Sequence, residues 1–153
     1  MSFIDAQDVI SGREGSIYAK IDKKVAELAE VRSLNAKVEL QKQEIKALGY
    51  RGTQYKVTGF SGKGSCSYYY ATSRWARMIA DYIKTGKVTY FSIIVTNEDP
   101  DSNIGSQKVR LGKCCIDGAD VAKIDIESQA LDGSFDFTFS ELEFLEEFEP
   151  IFE

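Results

Sequence analysis

Histidine is absent from all 153 residues. Its absence removes the commonest general base and the commonest metal ligand together. Cysteine is scarce: Cys66, Cys114 and Cys115 are odd in number, and none stands in a Cys-x-x-Cys pair. The two adjacent ones would point to opposite faces of a strand, so buried reduced thiols are expected in place of a disulfide framework. Proline occurs only twice, and no stretch is rich enough in Gly, Ser or Pro to serve as a linker. Residues 1–153 therefore read as a single domain, large enough to bury its own core. The longest clearly apolar run, residues 90–95, falls far short of the roughly 18 residues a membrane helix needs. The N-terminus has no basic n-region and no apolar h-region, which makes synthesis in the cytoplasm the default and a membrane anchor unexpected. Catalysis by carboxylates or lysine stays open on composition, but the case for an enzyme weakens, and the expectation is a protein that is not an enzyme and takes no cofactor.

Basic residues are missing after Lys123. Residues 124–153 hold ten acidic side chains, which leaves 14 acidic and 19 basic ones in residues 1–123. A chain with net charge -5 is thus +5 followed by -10. Two solvated faces of one monomer would account for this. So would electrostatic complementarity between copies.

Several segments carry clear local signals. Residues 11–16, Ser-Gly-Arg-Glu-Gly-Ser, read as a turn before a short strand at 17–21. Residues 25–48 are ambiguous. Val31, Val38 and Ile45 recur every seven residues, as in an amphipathic helix or coiled-coil adaptor, while Leu34, Ala36, Val38 and Leu40 alternate as on one face of a strand. Residues 49–64 are rich in glycine and basic residues, with Tyr50, Tyr55 and Phe60 interleaved. Between Arg32 and Lys63 there are seven basic residues against two acidic ones. Such a segment suits a nucleic-acid-binding module at residues 32–63, and it suits an ordered protein contact equally well. Gly62-Lys63-Gly64-Ser65 fails as a phosphate loop, because glycine follows the lysine and Val57 occupies the place of the first glycine.

Residues 65–71 read as a strand. Residues 73–85 give the strongest helix signal, with Ser73 as a cap, Gly86 as the stop, and an apolar stripe of Trp75, Met78, Ile79, Tyr82 and Ile83 expected in the core. Residues 88–96 form a β-branched strand, residues 97–106 a polar loop, and residues 107–116 a strand ending in a turn at Asp117-Gly118. A strand at 122–130 would turn Ala122, Ile124, Ile126 and Ala130 inward and Lys123, Asp125, Glu127 and Gln129 outward. Asp132-Gly133 is a hairpin signal before the alternating Phe135, Phe137 and Phe139. The acidic tail from Glu141 keeps Leu142, Phe144, Leu145, Phe148, Ile151 and Phe152, which call for burial.

Strands around one central helix, a meander ending Phe-x-Phe-x-Phe, and the start Ile10-Ser11-Gly12-Arg13-Glu14-Gly15 together resemble a known family. It is that of the tail-tube proteins of contractile phages and of phage-tail-like bacteriocins. The resemblance covers almost the whole chain, most tellingly at residues 10–18, 59–86 and 124–139. It implies a mainly β fold with one flanking α-helix (α+β), in which two packed antiparallel sheets form a tail-tube sandwich or barrel with a long protruding hairpin. It resolves residues 25–48 in favour of β-structure. It implies a structural, self-assembling virion protein: homo-oligomeric hexameric rings stacked into a tube and driven through the target envelope by sheath contraction. The implied partners are the sheath, baseplate and terminator proteins of the same particle, with DNA or a tape-measure protein in the lumen. Assembly in the bacterial cytoplasm would precede release by lysis. The expected contact residues between subunits or rings are Lys42, Lys46, Tyr50, Arg51, Tyr55, Lys56 and Phe60. Asp125 and Glu127 are expected to face the lumen, where an acidic lining would let DNA slide.

Overall fold

The computed structural model describes residues 15–28, 30–127 and 130–149. Its elements in chain order are β1 (Gly15–Ile21), β2 (Lys24–Glu27), β3 (Val31–Ile45), β4 (Gln54–Tyr69), α1 (Arg74–Thr85), β5 (Phe91–Glu98), β6 (Ser106–Ala119), β7 (Asp132–Phe139) and β8 (Glu141–Glu146). The strands join in one antiparallel sheet of order β2-β1-β5-β6-β7-β4-β3, with β8 added on β6. The fold is mostly β with one helix, as expected, but the strands form one continuous sheet where two packed sheets were expected, and it is not closed into a barrel: β2 and β3 end it without pairing to each other. β6 is its pivot. Residues 106–114 pair with β5 and residues 108–112 with β8, whereas residues 115–119 pair with β7.

The ambiguity at residues 25–48 is settled as β-structure. β3 and β4 run antiparallel from Val31 opposite Tyr68 to Ile45 opposite Gln54. The seven-residue recurrence of Val31, Val38 and Ile45 is a coincidence of spacing. Alternation decides instead, because Leu34, Ala36, Val38 and Leu40 share a face opposite Cys66, Gly64, Gly62 and Phe60.

One dry aromatic cluster holds the fold together. Phe135, Phe137 and Phe139 alternate into the core, and Trp75 stacks on Phe135 with ring centroids 4.1 Å apart. Tyr68 and Phe91 complete the cluster, at 6.1 Å from Phe135 and 5.7 Å from Trp75 respectively. Room for these rings comes from glycine. Gly62 lies opposite Phe139, Gly64 opposite Phe137 and Gly133 opposite Tyr68. A Cβ on Gly62 would meet the Phe139 ring at 2.5 Å, one on Gly133 would meet Tyr68 at 2.8 Å, and one on Gly64 would strike Phe137 outright. The Gly62-Lys63-Gly64 sequence therefore serves packing, with large residues on one strand filling the gaps left by small ones on the next.

The same need overrides a turn signal. Asp132-Gly133 begins β7, because Gly133 is needed beneath the ring of Tyr68 and Asp132 pairs with Arg32 at 2.5 Å. Asp117-Gly118 likewise stays within β6, where an irregularity between Ile116 and Gly118 takes up the extra residue against β7. Residues 120–127 form no strand, so the expected strand at 122–130 is corrected, with residues 128–129 outside the described part. Asp120 instead grips β7 through Ser134, accepting its N–H at Oδ2 at 3.0 Å and donating its own N–H to the Ser134 carbonyl at 3.2 Å. Ile124 and Ile126 are left 97% and 100% exposed.

The helix follows its signals at the end and departs from them at the start. Gly86 adopts φ 74° and its N–H closes on the Tyr82 carbonyl at 2.8 Å. At the start the Ser73 side chain makes no cap, and Thr72 Oγ1 accepts the Arg74 N–H at 3.2 Å instead. Only Trp75 of the expected stripe is fully buried. Met78 and Ile79 are half-buried, whereas Tyr82 and Ile83 are exposed, because only the first two turns reach the aromatic cluster. Leu142, Phe144 and Leu145 of β8 are also exposed, while Phe148 is half-buried; Ile151 and Phe152 lie outside the described residues. All three cysteines are free. Burial pushes the thiols of Cys66 and Cys114 up to about 12.

Three tests follow from this packing. Gly64→Ala is expected to cost about 1–3 kcal/mol, since Phe137 is fully buried between Phe135 and Phe139 and has nowhere to swing. Gly59→Ala, on the exposed hairpin beside the flexible Gln41 side chain, costs far less in the same urea titration. Trp75→Ala is expected to cost about 3–5 kcal/mol and Ile83→Ala to stay within about 0.5 kcal/mol, read from unfolding midpoints. A raised thiol pKa makes the unfolded chain lose its protons first on an alkaline titration. The contribution of Cys66 and Cys114 is therefore whole below pH 9.0 and is lost progressively toward pH 12. Replacing both by alanine is expected to flatten the fall of melting temperature over that range; an unchanged slope rejects the assignment.

Candidate assembly surfaces

The β3–β4 hairpin outruns its support. β7 pairs with β4 only from Gly62 to Tyr69, so, among the described residues, 40–45 and 54–60 have only each other as strand partners. The apolar face built at the core by Leu34, Val38 and Cys66 nevertheless continues outward. Leu40 faces Phe60, Lys42 faces Val57 and Glu44 faces Tyr55. An irregularity between Gln41 and Lys42 accommodates Thr58, whose hydroxyl donates to the Gln41 carbonyl at 3.3 Å. Leu40 is 58% exposed, Phe60 51%, Val57 50% and Tyr55 61%.

Residues 46–53 close the hairpin. Gly49 takes φ 82°, which suits glycine, and the Tyr50 N–H bonds the Ala47 carbonyl at 3.3 Å. The turn presents Leu48 and Tyr50 to solvent beside Lys46 and Arg51. The structure thus brings Lys42, Lys46, Tyr50, Arg51, Tyr55, Lys56 and Phe60 onto one hairpin, with Phe60, Tyr55 and Lys42 on the face continuous with the core. Among the described residues no carboxylate forms an ion pair with Lys42, Lys46, Arg51 or Lys56. Arg32, counted in the same basic segment, is committed elsewhere: it pairs with Asp132 and lies 5.3 Å from the Tyr69 ring centroid.

The acidic end of the chain is on β8 and the residues after it. Arg110 approaches Glu141 at 3.4 Å and Glu143 at 3.9 Å, and Ser106 donates to Glu146 at 2.7 Å. A groove of about 370 Å³ separates this strand from β3, walled by Leu34 and Val38 on one side and Val109, Leu142 and Phe144 on the other. The stretch from the end of α1 to the start of β5 is a further apolar flank: Tyr82, Ile83, Val88 and Tyr90 are exposed along it, and Tyr82 and Val88 line one depression. Sequence reasoning missed Leu48, Val57 and this flank. Their alternation looks the same whether a side chain is buried by its own chain or by another.

Among the described residues no cluster of cysteine, aspartate and glutamate could hold a metal, and no helix is long and apolar enough to cross a membrane. What these surfaces offer is adhesion: exposed aromatic and aliphatic side chains ringed by unlike charges at separate places.

Known proteins share this architecture. A chain of an extracellular contractile injection system, seen in its sheath–tube complex in the extended state, aligns with a TM-score of 0.66 at 8% identity, covering 91% of this chain and 93% of that one. A chain of the six-fold symmetrised baseplate of the anti-feeding prophage aligns at 0.63 and 8% identity, covering 95% and 97%. The phage-like element PBSX protein XkdM of Bacillus subtilis (strain 168) is 33% identical over 149 residues, 97% of this chain and 99% of XkdM. Residues 2–146 match the family described as phage tail tube protein. The chain therefore belongs to the phage tail tube protein family, and it is a structural subunit of a phage-like tail, not an enzyme.

Proposed function

We propose that residues 1–153 act as one tail-tube domain that forms hexameric rings, and that the rings stack into the hollow inner tube of a contractile tail. The sheath surrounds this tube and drives it through the target envelope on contraction. Baseplate and terminator proteins hold its two ends, and DNA or a tape-measure protein occupies the lumen. Assembly takes place in the bacterial cytoplasm. The six-fold symmetry and the sheath–tube complex of the structural neighbours support this reading.

The observation that carries it is the unsupported half of the β3–β4 hairpin. A monomer would bury or shorten a strand pair with Leu40, Phe60, Val57, Tyr55 and Tyr50 all exposed. Held against a neighbouring ring, the same residues become contact anchors. Lys42, Lys46, Arg51 and Lys56 are then placed to meet the carboxylates of another copy. Head-to-tail stacking favours unlike charge at its two ends.

The lumen assignment of Asp125 and Glu127 loses the strand it rested on. Both are exposed, and the Glu127 N–H bonds Asp125 Oδ1 at 3.0 Å within a turn. With Ile124 and Ile126 bare beside them, this segment suits a contact between copies better than a water-lined wall.

Electron microscopy and sedimentation of the purified protein are expected to show rings or tubes. The double variant Lys42→Glu with Lys56→Glu is expected to remain folded by circular dichroism and to assemble far less. A strictly monomeric wild-type profile across several salt concentrations would reject the tube reading.

A further inference from the structure

We infer that the tip of the β3–β4 hairpin seats on residues 121–127 of a copy in the next ring, and that this pairing of tip and seat fixes the direction of stacking. The inference rests on the tube reading and names the partner of the hairpin. Its first support is the register of the strands. β3 and β4 run from Val31 opposite Tyr68 to Ile45 opposite Gln54. β7 starts at the first of these ends, with Asp132 opposite Tyr69, and stops at Phe139 opposite Gly62. β6 runs toward the same first end, from Cys115 opposite Thr138 to Ala119 opposite Phe135. Residues 120–127 therefore leave the sheet at the end away from the tip. β3 is 15 residues long, roughly 50 Å of strand at about 3.3 Å per residue. The tip of one copy thus stands far from its own seat. Stacking brings the two together, because it sets the tip end of one ring against the opposite end of the next.

The two surfaces match in kind. Residues 46–51 hold Lys46 and Arg51, no carboxylate, and the exposed Leu48 and Tyr50. Residues 121–127 hold Asp125 and Glu127 against the single Lys123, with Val121, Ile124 and Ile126 at 62%, 97% and 100% exposure. Among the described residues neither Asp125 nor Glu127 forms an ion pair, and no strand pairs with the segment. Bare isoleucines beside free carboxylates suit a contact that is apolar at its centre and acidic at its rim. Other surfaces suit the tip less. At the seat's own end of the sheet, Arg32 already engages both Tyr69 and Asp132. The flank from Tyr82 to Tyr90 carries Lys84 and Lys87, which repel a basic tip. β8 begins beside the hairpin's own root, and Arg110 and Lys113 engage its Glu141.

The same pairing excludes the wrong order. Tip against tip brings Lys46 and Arg51 of two copies together, and seat against seat brings Asp125 and Glu127 of one copy against those of the other. Tip against seat alone covers Leu48 and Tyr50 with Ile124 and Ile126 while setting cations toward carboxylates. Such a contact is heterologous, so each added ring presents a fresh tip to the ring that follows. Its specificity lies largely in charges that can be exchanged between the two sides.

Charge exchange tests the pairing. The tip variant is Lys46→Glu with Arg51→Glu, and the seat variant is Asp125→Lys with Glu127→Lys. All four positions are exposed, so both variants are expected to keep the wild-type melting curve by circular dichroism. Each alone is expected to give about tenfold fewer tubes by pelleting and microscopy, because like charges then meet at every ring contact. An equimolar mixture of the two variants is expected to recover tubes, as is a single chain carrying all four changes. A tip or seat variant that stacks like the wild type overturns the inference. So does a pair of blocked variants whose mixture and four-fold combination both stay blocked. Should either variant misfold, Leu48→Cys with Ile124→Cys in a Cys115→Ser background is the second probe, since the remaining Cys66 and Cys114 are buried with thiols at about 12 and stay silent. Oxidised tubes are expected to give a ladder of linked chains on a non-reducing gel, which either single cysteine alone does not give. Tubes of the paired variant that give no ladder overturn the pairing. Tube formation by the wild-type chain is scored separately by microscopy, so the seat can fail while the tube reading stands.

Discussion

Phe137 and Phe139 reach the core across positions where β4 carries only hydrogen. The room for those rings sets the spacing of β4 against β7, and through Phe135 it sets where Trp75 can stack. A helix would place residues 62, 64 and 66 on different sides, whereas a strand places them in one line. Fixing β4 as a strand also fixes β3, its only other partner along residues 31–45. The hairpin is therefore a consequence of how the aromatic cluster is accommodated. It extends beyond the sheet because the pattern of β3 and β4 continues where β7 stops.

That continuation explains why this subunit exposes so much apolar surface while keeping a dry core. The core is complete with β7: Cys66, Tyr68, Trp75 and the three phenylalanines are all at most 5% exposed. Apolar residues past Gly62 lie outside this core, and about half of the surface of Leu40, Phe60 and Val57 stays in water. In the proposed assembly they serve a second association, in which the surface left in water by one copy is covered by another. The polar side of the same strands has no such outlet, since a row of Ser, Asn, Lys and Asp gains nothing from burial. One sheet thus offers an apolar extension for contact and a polar side for solvent, and strand alternation alone generates the difference.

The core and its order were largely legible in the sequence. The Phe-x-Phe-x-Phe alternation, the helix ending at Gly86 and the free thiols emerge where the composition places them. Glycine was the chief source of error. Gly118 and Gly133 read as turns because glycine is common there, yet one sits at an irregularity in β6 and the other lies beneath Tyr68. A glycine that makes room for a ring leaves no local trace, since the ring belongs to a strand distant in sequence. The apolar alternation at 122–130 misled for the opposite reason. Ile124 and Ile126 carry a strand's pattern, yet among the described residues no strand pairs with them. Composition singled out the hairpin residues proposed as contacts, but which of them share a face needed the irregularity at Thr58, which shifts Val57 and Tyr55 into line with Phe60.

The charge division acquires a physical reading once these surfaces are placed. Basic groups of the hairpin tip and carboxylates of β8 lie on different elements, and most are exposed at ionic strengths where the Debye length is about 8–10 Å. Exposed pairs such as Arg110 with Glu141 and Glu143 contribute little to the stability of their own chain. Between copies brought into contact, complementary charge acts on orientation and rate of association. In the proposed assembly the apolar tip supplies most of the adhesion, and the charges select which end meets which. The aromatic cluster on which folding depends contains no charged group, so the groups assigned to assembly and those that hold the fold are separate sets.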